Sequence, residues 1–195
     1  RAAMPQKKLT PMLALLLICA AVLSALPSNP AVARTVTWLR AADALTLDPH
    51  ADDDGVALSL IQQIYEPLIQ RDAQGKTSGA LAESWSLTSD PLVWEIRLRR
   101  NVTFHEGEAL TSADVAFSIE RARGRQSGVR DLLTAIETVR IVDSHTLHIK
   151  TSIPTPLLPG QLTHVLVMSK TWSERNKAVT VAEAAQLHRA YTARN

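Results

Sequence analysis

Cysteine is nearly absent from this chain of 195 residues: Cys19 is the only one, so no internal disulfide can form. Excess charge of one sign is also missing. Lys and Arg number 21 against 19 Asp and Glu, a formal net charge of +2, and no basic cluster is interleaved with aromatics. A nucleic-acid footprint is thereby excluded. The chain has no His-Glu-x-x-His, no Gly-x-Ser-x-Gly and no Cys-His pair, which removes the usual signatures of an exported hydrolase. No apolar run reaches the about 20 residues of a membrane span. There is no internal repeat and no low-complexity tract. What remains is ordinary globular composition, 46% hydrophobic and 21% charged, enough for one or two compact units.

What is present begins with an export pattern. Lys7 and Lys8 follow Met4, the apolar run PMLALLLICAAVLSAL covers residues 11–26, and Ala31-Val32-Ala33 offers a small-x-small cleavage site. This three-part layout predicts a signal peptide over residues 1–33, cut after Ala33, and therefore a periplasmic or otherwise extracytoplasmic location. Arg1, Ala2 and Ala3 precede the expected start at Met4. Cys19 lies within the run, behind Ile18 rather than a small residue, so a lipidation signal is not expected and cleavage leaves no thiol chemistry. Residues 1–33 hold Arg1, Lys7 and Lys8 and no acid, so residues 34–195 carry 21 − 3 = 18 basic against 19 acidic residues, a formal charge of −1.

The remainder reads as mixed α and β. TVTWLR (35–40) looks like a first strand, followed by the loop ALTLDPHADDDG. From Val56, the positions Ala57, Leu60, Ile61, Ile64 and Tyr65 recur at helical spacing, and Pro67 sets the expected end. SWSLT and VWEIRLR alternate apolar with polar residues around Ser89-Asp90-Pro91, which predicts a hairpin with one buried and one wet face. A second hairpin is expected from Val139 and Ile141 against Leu147 and Ile149, around Asp143-Ser144-His145. PTPLLPG (154–160) reads as a proline-interrupted connection, and residues 181–191 as a tail helix.

One stretch could be chemistry or architecture. In NVTFHEGEALTSADVAFSIERA (101–122), Thr111-Ser112-Ala113-Asp114 fits a capping box, with Val115, Ile119 and Ala122 on one helix face behind it. Glu106-Gly107-Glu108 fits a tight turn in which Gly107 takes a positive φ. His105 is left without an evident nucleophile or partner base. The structural reading is the expectation here.

In this order and spacing, LTLDPH, QQIYEPLIQRDAQGK, GALAESWSLTSDPLVWEIRLRRNVTFHEGEALTSADVAFSIERA and IVDSHTLHIKTSIPTPLL resemble the amino-terminal part of bacterial ABC-importer extracellular solute-binding proteins. The group resembled is the one that takes up dipeptides, oligopeptides, nickel and some sugars. Each motif alone is weak; together they are specific. The resemblance covers nearly all of residues 35–195. It implies an α/β, periplasmic-binding-protein-like type II fold, of which this chain would hold the first lobe only: a mixed sheet with flanking helices plus a hairpin-rich subdomain. Family members are much longer, so residues 34–195 are expected to be an incomplete amino-terminal lobe. The resemblance further implies a monomeric receptor without cofactor or catalytic residues. It would capture a peptide or similar small solute and hand it to ABC permease subunits by closing two lobes around it. Residues 34–195 alone would then bind no peptide with useful affinity.

The resemblance also directs attention to the loop after the first strand, which faces the interlobe cleft in the family. Here that loop supplies His50, Asp52, Asp53 and Asp54 as candidate ligand-binding residues, with carboxylates suited to a cationic ligand group such as a peptide amino terminus. Two other readings of the same residues stand beside it. Asp54 also suits the cap of the helix starting near Val56. His50 with Asp52–Asp54 could also serve an exported metal-binding protein or metal-dependent hydrolase, although no second histidine sits at a ligand spacing. Trp38, Trp85, Trp94 and Trp172 are core candidates, and any one of them could line a cleft.

Overall fold

The computed structural model describes residues 46–52 and 55–181. The expected signal segment (1–33), the expected first strand at 35–40 and nearly all of the expected tail helix (181–191) lie outside these residues.

Helix α1 spans Gly55–Ile61, shorter than its apolar periodicity suggested. Beyond Ile61 the chain tightens: the Gln63 and Ile64 amides donate to carbonyls three residues back, those of Leu60 and Ile61. Pro67 keeps Glu66 out of helical geometry, so the turn unwinds before it. A small ribbon of β1 (Ile69–Arg71) and β2 (Thr77–Gly79) follows. The Asp72 carboxylate accepts from the Gln74 and Lys76 amides in its turn, and Gly75 sits at φ 78°. A methyl at Gly79 would fall 2.3 Å from the Ala82 carbonyl oxygen, so only glycine fits there.

Both expected hairpins form, and they join into one antiparallel sheet. Strands β3 (Ala82–Leu87), β4 (Val93–Leu98), β5 (Ile136–Asp143) and β6 (Thr146–Thr151) lie in the order β3-β4-β6-β5. The central strands β4 and β6 bury Trp94, Ile96, Leu98, Leu147 and Ile149, as their alternation requires. The edge strands do so less completely. Leu87 is 46% and Ile141 47% exposed, where burial was expected of both. Leu87 closes an edge strand, and Ile141 stands beside a register shift in β5, the other edge; among the described residues no further strand pairs beyond either edge.

Helix α2 (Ser112–Ala122) starts as expected from its capping box. The Asp114 carboxylate accepts from the Thr111 amide at 2.9 Å and from its hydroxyl at 2.7 Å. Val115, Ile119 and Ala122 are all fully buried, in the same apolar cluster as Ile96, Leu133, Ile136 and Ile149. Each large side chain removed from water in this way stabilises by about 1.5–3 kcal/mol. The 154–160 connection contains more order than expected. Pro159 occupies the first turn of a short helix, α3 (Leu158–Gln161), where its missing N–H goes unused. Helix α4 (Lys170–Arg175) is capped by Ser169, whose hydroxyl accepts from the Trp172 amide.

Candidate functional site

Two groups of polar residues stand apart from the sheet, and they are built on opposite terms. The first is a buried clasp around Arg121, on the last turn of α2. Arg121 Nη1 and Nη2 donate to the two Asp48 carboxylate oxygens at 2.8 and 2.6 Å. Nε donates to the Ala178 carbonyl at 2.9 Å and Nη2 also to that of Thr180 at 3.3 Å. Both charged side chains are only 1% exposed. Arg121 Nη1 also lies 3.0 Å from His50 Nδ1. A guanidinium can only donate, so Nδ1 accepts and the His50 proton sits on Nε2. From there it is donated to the Leu166 carbonyl, 2.8 Å away.

The electrostatics agree with that tautomer. Burial first, then the Arg121 charge, lower the His50 pKa to about 4, against opposing contributions from Asp48 and the Leu166 bond. His50 is therefore a neutral imidazole at neutral pH. Burial pushes the Asp48 carboxyl up, but the Arg121 hydrogen bonds and charge, with help from His50, outweigh it and hold the group below its ordinary value. The loop is pinned by backbone as well: the Gly128 amide donates to the His50 carbonyl, and a methyl on Gly128 would lie 3.0 Å from the Ala51 carbonyl oxygen.

The second group lines an open cavity of about 870 Å³. Three stretches make its walls. One is Ile64–Glu66, after α1. The second is the 102–110 hairpin turn, in which the Phe104 amide donates to the Glu108 carbonyl and the Gly107 amide to the Phe104 carbonyl, with Gly107 at φ 89° as expected. The third is Val167–Ser169 with Trp172. They are laced together: the Val167 amide donates to the Glu66 carbonyl at 3.0 Å, the Lys170 amide to Asp114 Oδ1 at 2.9 Å, and Arg175 pairs with Glu106. Tyr65, Phe104 and Trp172 are half-buried and face this space with Leu81, Val102 and Met168, while Glu66, Glu106 and Glu108 stand among them. Burial, reinforced by the Asp48 charge, raises the Tyr65 pKa, so its phenol stays protonated.

The residues singled out in the sequence are thus dispersed. His50 is buried in the clasp, with both ring nitrogens bonded to protein groups. Asp52 is half-buried beside it, and Asp53 and Asp54 lie outside the described residues. His105 is exposed on the cavity wall in the expected turn, and Asp114 is a helix cap that also anchors the start of α4. His148, which was not among those residues, meets Glu95 and Arg140 on the sheet. Trp94 is core, Trp85 packs partly against the core, Trp172 lines the cavity, and Trp38 lies outside the described residues. Arg121, Tyr65 and Phe104 were not anticipated.

A concave space with apolar walls and a few polar groups is the build of a protein that holds a small molecule. Comparison with known proteins supplies the particular family. The model of the bacterial extracellular solute-binding proteins, family 5 (its middle part), matches residues 76–186, more than half of the chain, and the chain belongs to this family. Over 151 residues it is 26% identical to the glutathione-binding protein GsiB of Pectobacterium atrosepticum, covering 76% of this chain and 29% of that protein. It is 24% identical over 159 residues to the periplasmic oligopeptide-binding protein OppA of Escherichia coli, covering 71% of this chain and 29% of that one. The chain therefore spans less than a third of the length of these curated relatives. Among solved structures, NikZ of Campylobacter jejuni in complex with Ni(L-His) aligns with a TM-score of 0.63 at 25% identity, over 72% of this chain and 28% of that one. The binding protein AgaA of A. tumefaciens R10 in complex with agropinic acid aligns with a TM-score of 0.66 at 26% identity, over 72% and 29%. The fold is that of a type II periplasmic binding protein, of which this chain supplies one part.

Proposed function

We propose that this chain is the amino-terminal part of the substrate-binding component of an ABC import system, which captures peptides or a similar small solute in the periplasm for transmembrane transport. The observation that carries this reading is the family match over residues 76–186. The names of the relatives, a glutathione-binding and an oligopeptide-binding protein, support a peptide-like solute. In this reading residues 1–33 are an export signal cut after Ala33, residues 34–195 form most of a first lobe, and the protein is monomeric and not an enzyme. The solute is held between two lobes, so contacts made only in the closed state shift the open–closed balance toward delivery to the permease subunits. As candidate solute contacts this reading keeps Asp52, Asp53 and Asp54, while His50 acts one step back by tying its own turn to α2 through Arg121. The metal-dependent alternative has no free nitrogen ligand in that loop, because both His50 ring nitrogens are already bonded within the protein.

The test is retention of solute by the complete gene product that contains this chain. It would be incubated with an equimolar mixture of dipeptides to pentapeptides, glutathione and nickel–histidine, and examined by native mass spectrometry. Selective retention of one class is expected; a folded protein that retains none of them would overturn the reading.

A further inference from the structure

We propose that the cavity beside the 102–110 turn binds an organic ammonium ion, with its apolar body against Tyr65, Phe104 and Trp172 and its cationic head beside Glu66 and Glu108. This assignment names the chemical class of solute and rests on the reading of the chain as a solute receptor.

The aromatic residues are distributed very unevenly. Six lie among the described residues, and three of them meet at this one cavity. They come from three different stretches of chain and each is half-buried. Aromatic faces carry negative π density and attract a cation more than a neutral or anionic group. The charged groups lean the same way. Among the described residues, three carboxylates and no lysine or arginine line the cavity. Arg175 neutralises Glu106 by pairing with it. Glu108 has only a long contact of 3.4 Å from the Ser169 hydroxyl, and the Glu66 carboxylate has no hydrogen bond or ion pair among the described residues. Two carboxylates are thus left to answer an incoming charge. An anion entering here meets like charge, and a neutral apolar solute desolvates carboxylates without replacing their water. A primary or quaternary ammonium on an apolar body satisfies both halves of the lining.

The aromatic rings and carboxylates that the assignment uses all belong to the described residues of this chain, so the 195-residue chain itself can be tested. The probe is 2-phenylethylammonium, compared with the neutral 2-phenylethanol and the anionic 3-phenylpropionate, and binding is read by tryptophan fluorescence. Trp172→Phe identifies which part of the signal comes from the cavity. The ammonium ion is expected to bind about tenfold more tightly than the alcohol, and the carboxylate not at all. Glu66→Gln and Glu108→Gln should each weaken the ammonium ion about threefold or more and leave the alcohol unchanged, with circular dichroism confirming that both variants fold. Equal affinity for amine and alcohol, or no response to the amine in the folded chain, overturns the assignment.

Failure here is separable from failure of the receptor reading. If the complete gene product retains a peptide-class solute while the chain ignores the ammonium probe, the cavity assignment falls and the receptor stands. If the probe binds in a Glu66-dependent way while none of the peptides, glutathione or nickel–histidine is retained, the reading as a receptor for a peptide-like solute falls and the cavity's preference for an ammonium ion stands.

Discussion

The clasp at Asp48 and the cavity at Glu66 use the same chemistry for opposite ends. At the clasp the carboxylate is 1% exposed and bonded through both oxygens to an arginine equally withdrawn from water. At the cavity the carboxylates stand beside aromatic rings with few internal partners. A buried charge that has its partner holds structure, and losing the partner is ruinous. An accessible charge that lacks one stabilises little in the free protein and is available to a ligand. Burial and pairing, more than residue type, separate the two roles.

That contrast is broken most directly by Arg121→Met. It strands Asp48 in a dry interior and should lower unfolding stability by about 3–5 kcal/mol in urea denaturation; a loss under about 1 kcal/mol would contradict the clasp.

Acid should work on the same clasp through His50. Its folded pKa is about 4 against a usual 6.5, so the unfolded chain takes up a proton first as pH falls. Stability is then fully present above about pH 6.5 and declines toward about pH 4, by on the order of 3 kcal/mol. Asp48, whose pKa is also lowered, adds a loss of the same sign further down, below its ordinary value of 3.8. In His50→Gln the slope between about pH 6.5 and 4 should flatten, as read by thermal melts across that range. An unchanged slope would assign it to other groups.

A smaller effect is expected at the cap. Asp114→Ala removes the bonds to Thr111 and to the Lys170 amide and should cost about 1–2 kcal/mol. Smallest of all, Glu66→Gln should leave stability within about 0.5 kcal/mol of the parent while weakening ammonium binding. A large destabilisation there would erase the distinction between the two regions.

Local signals were legible in the sequence and distant ones were not. The capping box at Thr111, the positive φ at Gly107 and the pairing of both hairpins depend on residues within a few positions of each other. The ribbon of β1 and β2 has strands of three residues, too short for alternation to register. The exposure of Leu87 and Ile141 depends on sheet order, which alternation along one strand does not encode. The clasp joins residues 73 apart, and the cavity gathers three separate stretches. One signal for the clasp was nonetheless available. Arg121 continues the buried face that runs through Val115, Ser118 and Ala122, and an arginine on an apolar helix face implies an acid waiting opposite. For the cavity, Tyr65, Phe104 and Trp172 gave no local hint that they would meet.

The central claim, that this chain serves solute import, is tested most directly by uptake in the host. An in-frame deletion of the reading frame, with and without a plasmid-borne copy, would be assayed with radiolabelled peptides and glutathione. The account predicts that accumulation of one solute class collapses in the deletion and returns with the copy. Undiminished accumulation of every class in the deletion strain would contradict it.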